Sequence, residues 1–300
     1  MRLIVVLLAL IAFGGGVFWV LTAPDTLTAE ALPEHEPDVD NGRYMFFAGG
    51  CASCHAAEDQ DDPLVLGGGH RLETPFGTFV APNISSDPDQ GIGGWSMIAF
   101  VNAMVRGVSP NGAHYYPAFP YTSYARMRLE DVMDLKAFLD TVPTDATPSE
   151  PHELSFPYSV RRGLGLWKMR YLPELGPVLV ENDAPEVARG RYLADGPSHC
   201  AECHTPRDVF GGLRPGLAYA GAVAAEGEGW VPNITPHPDG IEDWSTGDIA
   251  FALETGFTPD FDVLGSTMAA VVRNMAELTP EDREAIAAYL AALPPLPDAR

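Results

Sequence analysis

The sequence predicts an all-α protein: two tandem copies of one small helical domain behind a single N-terminal membrane-spanning helix. Three observations predict it. An uncharged apolar stretch opens the chain, from Leu3 to Leu21. A Cys-x-x-Cys-His string occurs twice, at Cys51–His55 and Cys200–His204, and uses all 4 cysteines. The surroundings of the two strings recur at an offset of about 149 residues, the signature of a repeat.

The opening stretch contains Gly14, Gly15 and Gly16 but no charge. As a helix it is ~28 Å long, close to the ~30 Å hydrocarbon core of a bilayer. Cleaved signals have shorter apolar regions and a small-x-small site. The candidate site here, Leu21-Thr22-Ala23-Pro24, has no Ala-x-Ala. Residues 1–23 therefore read as an anchor in preference to a cleaved signal, followed by a linker at 24–39. Either reading exports the remainder and leaves Arg2 on the cytoplasmic side. The expected location is the periplasmic side of a bacterial inner membrane, anchored by residues 3–21.

With 46 % apolar residues the chain is globular, and 28 prolines with 30 glycines predict short helices and much loop. The net charge of −23 excludes a nucleic-acid-binding protein. It predicts redox partners with a basic surface, or an acidic surface that serves solubility alone.

Two thiols three residues apart on one helical turn can form thioethers with the two vinyl groups of a haem. The histidine that follows then stands under the iron as proximal ligand. The strings thus predict two covalently bound haem c groups on Cys51, Cys54, Cys200 and Cys203, with His55 and His204 as iron ligands. Thioredoxin-like pairs would need a βαβ setting, and zinc a further Cys or His pair. The sequence contains neither pattern.

The repeat is independent of the cysteines. Gly42-Arg43-Tyr44 matches Gly190-Arg191-Tyr192, and Ala81-Pro82-Asn83-Ile84 matches Val231-Pro232-Asn233-Ile234. Gly91-Ile92 through Trp95-Ser96 matches Gly240-Ile241 through Trp244-Ser245, and Gly107 matches Gly256. Domain boundaries follow at 40–150 and 181–300, with an inter-domain linker at 151–180. A helix is expected over about 40–53, running into the first haem turn, with Tyr44 and Tyr192 as core residues. Ser96 caps a helix from Met97 to about Arg106, and Ser245 with Asp248 forms a capping-box pattern. Leu129–Leu139 carries apolar residues at helical spacing. Thr279-Pro280 starts a last helix, which Pro294 and Pro295 stop.

On these strings, and on Tyr116-Pro117-Ala118-Phe119-Pro120-Tyr121, each half resembles a class I cytochrome c domain. The pair resembles the dihaem cytochromes c of proteobacteria, related to the cytochrome subunits of membrane-bound alcohol and gluconate dehydrogenases. The resemblance covers about residues 40–296. Those subunits usually carry three haem motifs where this chain carries two. The resemblance implies electron transfer in a respiratory chain, as a tethered carrier or as part of a dehydrogenase or terminal oxidase complex. The alternative is a dihaem peroxidase with an open first haem.

The resemblance also implies a Met ahead of the last helix as sixth iron ligand. In the second half Met268 fills that role, with Met275 as a competitor that reads as core. In the first half the ligand would fall in or soon after Tyr115–Tyr121, which holds no Met. Met127 is the nearest downstream candidate, His114 an alternative, and a five-coordinate iron a third; Met104 reads as core. In related domains Asn83, Asn233, Trp95 and Trp244 would lie near the haem edge; the competing reading is loop and cap structure. Between the halves, Phe156–Leu172 holds Arg161, Arg162, Lys168 and Arg170 without an acidic residue. With Tyr158, Trp167 and Tyr171 it reads as a strap between acidic domains, or as a membrane or partner contact.

Overall fold

The computed structural model describes residues 2–57, 60, 62–225 and 229–300. It is mostly helical. The helices are α1 (Arg2–Leu21), α2 (Val39–Ala48), α3 (Ala52–His55), α4 (Met97–Arg106), α5 (Tyr121–Tyr124), α6 (Leu129–Leu139), α7 (Leu164–Tyr171), α8 (Pro185–Asp195), α9 (Ala201–His204), α10 (Thr246–Thr255), α11 (Met268–Met275) and α12 (Pro280–Ala291).

Local chemistry sets most of these boundaries. The Ser96 hydroxyl accepts from Ala99 N–H, and α4 ends at Gly107 in the left-handed region, φ +59°. Ser245 and Asp248 close the expected capping box reciprocally on α10. Thr279 caps α12 with Pro280 in its first turn. The expected continuous helix over 40–53 is instead broken. α2 stops at Ala48, Gly49-Gly50 turns the chain with Gly50 at φ +58°, and α3 restarts at Ala52.

Short strands also stand where only helix and loop were expected. β1 (Arg71–Thr74) and β2 (Gly77–Val80) form an antiparallel hairpin in register Arg71 with Val80. β3 (Glu153–Leu154) adds to β2, so residues read as inter-domain linker complete a sheet of the first half. In the second half β4 (Ala222–Val223) pairs with β5 (Trp230–Val231).

The buried apolar side chains gather into two cores. The first is built on Phe46, Val101, Val105, Met127, Val132 and Leu135, and the second on Leu193, Tyr219, Ile249, Ile286 and Leu290. In each, the helix before the Cys-x-x-Cys-His string crosses the last helix at a glycine. A Cβ on Gly42 would lie 2.0 Å from Asp134 O, and one on Gly190 1.9 Å from Ala285 O. Only glycine permits crossings this close.

α1 has a mean hydropathy of 2.7 with none of its span buried, so by length and composition it can cross a membrane. Its end is held by the basic segment. Arg162 Nε donates to Thr22 Oγ1 at 2.9 Å and its guanidinium lies 4.1 Å over the Trp19 ring. Lys168 Nζ donates to Arg106 O and Gly107 O, both at 2.7 Å, which satisfies terminal carbonyls of α4. Arg161 sits over the Tyr116 ring and donates to His114 O. The segment thus straps α1 to the first half, its cations meeting carbonyls and aromatic rings.

Candidate haem sites

α3 and α9 are single helical turns. Each has the first cysteine of its string at the N-cap and the second cysteine and the histidine within the turn, the short spacing that thioether attachment needs. Cys54 and Cys203 are exposed, and Cys51, Cys200, His55 and His204 are half-buried. Burial nonetheless pushes the Cys51 and Cys200 thiols up to about 12. It also holds the His55 and His204 imidazoles below their usual range, against the raising effect of a carbonyl hydrogen bond.

Both histidines are oriented in the same way. His55 Nδ1 donates to Pro82 O at 2.8 Å and His204 Nδ1 to Pro232 O at 2.8 Å. That bond fixes the tautomer and leaves Nε2 as the nitrogen with a lone pair to offer a metal. The donor set, two thiols and one pre-oriented imidazole per turn, fits a covalently attached haem. Sequence reasoning missed the two prolines. The repeated Pro-Asn pair was their signal, but the working atom is a backbone carbonyl that no side-chain pattern displays.

The asparagines next to those prolines are buried loop pins. Asn83 Nδ2 donates to Asp145 O and Thr147 O, and its Oδ1 accepts from Ser85 N–H. Asn233 Nδ2 donates to Leu296 O, and its Oδ1 accepts from Thr235 N–H. Each ties its loop to the chain that follows the last helix. Trp95 and Trp244 pack on the first and second cores just ahead of the Ser96 and Ser245 caps.

Of the sixth-ligand candidates, Met268 is half-buried at the start of α11, and Met275 lies in the second core. Met127 and Met104 lie in the first core. Met127 is 2 % exposed, and its Cγ is 3.6 Å from where a Cβ on Gly196 would stand. His114 is committed elsewhere: Nε2 donates to Thr22 O at 2.9 Å and Nδ1 accepts from Lys168 at 3.0 Å.

The two attachment turns meet at a seam with pseudo-twofold bonding. Tyr44 donates to Asp282 across it at 2.5 Å, and Tyr192 donates to Asp131 in the reverse sense. Each carboxylate is also held from its own half, Asp282 by Arg189 and Asp131 by Asn41. Asn274 donates to Ser53 in the first turn, while Thr122 and Ser123 donate to Glu202 in the second. His199 Nε2 donates to Gly49 O at 3.2 Å. Tyr192 lies in the second core and Tyr44 packs against both cores, as expected, and their hydroxyls in addition cross between the halves.

Helices that end in pre-oriented Cys-x-x-Cys-His turns define a c-type cytochrome, and a cytochrome c family model matches residues 39–143. The chain belongs to the dihaem cytochromes c related to the cytochrome subunits of dehydrogenases, which are electron-transfer proteins. It is 51 % identical over 291 residues to a "Diheme cytochrome c-type" protein of Cereibacter sphaeroides, covering 96 % of both. It is 37 % identical to the fructose dehydrogenase cytochrome subunit of Gluconobacter japonicus, over 87 % of this chain and 53 % of that one. It is 33 % identical to the cytochrome c subunit of a quinone-type alcohol dehydrogenase of Gluconobacter oxydans, over 94 % and 61 %. The chain therefore spans little more than half of those dehydrogenase subunits. These relatives support electron transfer over the peroxidase alternative.

Proposed function

We propose that the chain is two tandem cytochrome c domains that each hold one haem c, tethered by α1 to the periplasmic face of an inner membrane. It passes electrons between a dehydrogenase-type donor and a basic acceptor protein. The observation that carries this is the seam: His199 bonds Gly49 O directly from one turn to the other, and each turn is also held by a side chain of the other half, Ser53 by Asn274 and Glu202 by Thr122. A haem c bound at each turn supplies one-electron exchange between ferric and ferrous iron.

The protein's own part is orientation and exclusion. Cys51, Cys54 and His55 hold the first group; Cys200, Cys203, His204 and Met268 hold the second. Pro82 and Pro232 carbonyls steady the imidazoles, and the Tyr–Asp pairs keep the two turns in register. Arg162 stacks on Trp19 near the end of α1, and Leu166 and Met169 of α7 are exposed. That combination suits a bilayer interface.

The test is to purify the full chain from membranes in detergent and count haem by pyridine haemochrome. Two per chain, and reduction by a co-purified dehydrogenase at a salt-sensitive rate, is the expected result. A single haem, or rates independent of ionic strength, would refute the two-centre or the basic-partner reading respectively.

A further inference from the structure

We infer that Phe251, Phe257, Phe261 and Val263 form the docking surface for the basic acceptor protein, which meets it with an apolar centre and a cationic rim. This rests on the proposed reading that such an acceptor takes electrons from this chain.

The first half shows what becomes of the sister face. Asn102 Nδ2 donates to Leu27 O at 3.0 Å, and its Oδ1 accepts from Leu27 N–H at 2.7 Å. His114 Nε2 donates to Thr22 O at 2.9 Å. Ile98, Asn102, Val108 and Gly112 line one groove together with residues 26–29. The chain that leaves α1 thus covers this face, and Asn102, Val108 and His114 are 8 %, 2 % and 3 % exposed.

Backbone bonds put the two faces in register. Tyr115 N–H donates to Gly107 O at 2.7 Å, as Leu264 N–H does to Gly256 O at 2.7 Å. Gly112 N–H donates to Ser109 O at 2.8 Å, as Phe261 N–H does to Thr258 O at 2.9 Å. The bridge Val108–His114 matches Phe257–Val263. The step is the one that relates Cys51 to Cys200. It takes Asn102, Val108, Gly112 and His114 to Phe251, Phe257, Phe261 and Val263.

These four are 53 %, 47 %, 89 % and 60 % exposed. The amide and imidazole that hold backbone in the first half are replaced by a phenyl ring and an isopropyl group. The second face therefore takes apolar side chains in place of a peptide backbone. Phe261 stands at φ +63°, where its counterpart Gly112 has φ +79°. A bulky left-handed residue costs stability, and an exposed ring returns none through burial, so folding does not account for it.

Charge selects the occupant. From Gly240 to Met268 the chain holds six acidic residues and no lysine or arginine. Glu242, Asp243, Glu254, Asp260 and Asp262 are exposed. A second copy of this chain would bring the same negative charge, whereas a basic protein is attracted and its apolar centre covers the rings. The loop leads into Met268, five residues past Val263, which joins the face to the second site.

The test titrates the haem-loaded full chain in detergent with mitochondrial cytochrome c, a basic redox protein, and with poly-lysine as a charge-only probe. Phe251→Gln with Phe261→Asn removes both rings and keeps a helix former and a residue suited to positive φ. The double variant should bind cytochrome c roughly tenfold more weakly and poly-lysine as before, with an unchanged melting temperature. Val209→Ser with Phe210→Ser, at exposed apolar residues elsewhere, should change neither affinity. Equal loss in the two double variants, or none in the first, overturns the inference. Wild-type self-association that the first variant abolishes, read by sedimentation, overturns it in favour of a second copy. Wild-type binding to cytochrome c that is absent or independent of salt overturns the reading beneath it.

Discussion

Replacing Tyr192 by Phe removes one hydroxyl from the seam and leaves everything else in place. Tyr192 and Asp131 are 6 % and 7 % exposed, so water is a poor substitute for the lost donor. Asp131 keeps Asn41 but loses its contact from the other half. A hydrogen bond to a carboxylate contributes about 1.5–3 kcal/mol, and a buried pair belongs at the upper end. The sister change, Tyr44→Phe, acts at a half-buried ring, and Asp282 retains a bidentate Arg189 at 2.8 and 2.6 Å. Its cost is set at about 0.5–1.5 kcal/mol. The assay is guanidinium unfolding of the haem-loaded protein, with stability read from the midpoint at constant slope. A drop in melting temperature of about 2–4 °C per kcal/mol gives an independent check. The double variant should lose more than the sum if the seam opens as a unit. Equal costs for Tyr192→Phe and Tyr44→Phe would refute the reasoning, because both the deeper burial and the weaker remaining partner of Asp131 make the Tyr192 change the costlier one.

Gly190→Ala forces a methyl against backbone at Ala285, where no side chain can yield, and should cost about 3 kcal/mol; a loss under about 1 kcal/mol would show that the crossing relaxes. Met268→Ala should remove the red thioether band assigned to the second haem and lower its potential, as potentiometry would report; an unchanged potential counts against Met268 as ligand. Arg162→Gln should loosen the clamp on α1 and speed proteolysis between residues 22 and 39, and an unchanged cleavage rate would argue against the strap. His35 donates to Asp134 at 2.6 Å, and that bond raises its pKa above 6.5. A raised histidine adds stability that is complete below its unfolded pKa and is lost as pH rises through the folded value. Wild type should therefore exceed His35→Gln by up to about 1 kcal/mol at acid pH and by less as pH rises past that folded value, and a gap independent of pH would contradict this.

The sequence by itself determined what depends on neighbours within a few residues. The Cys-x-x-Cys-His turns, the Ser96, Ser245 and Thr279 caps, and the apolar span of α1 are local because covalent attachment, capping and bilayer length act over one turn or one helix. The repeat offset was legible for the same reason. Tertiary structure decided whatever joins residues far apart. It placed Pro82 and Pro232 carbonyls on His55 and His204, broke the first helix at Gly49-Gly50, and took His114 away to Thr22 and Lys168. It also made Tyr44 and Tyr192 exchange partners with Asp282 and Asp131. These pairings depend on how two cores pack, and a buried polar group takes whichever partner that packing brings within reach.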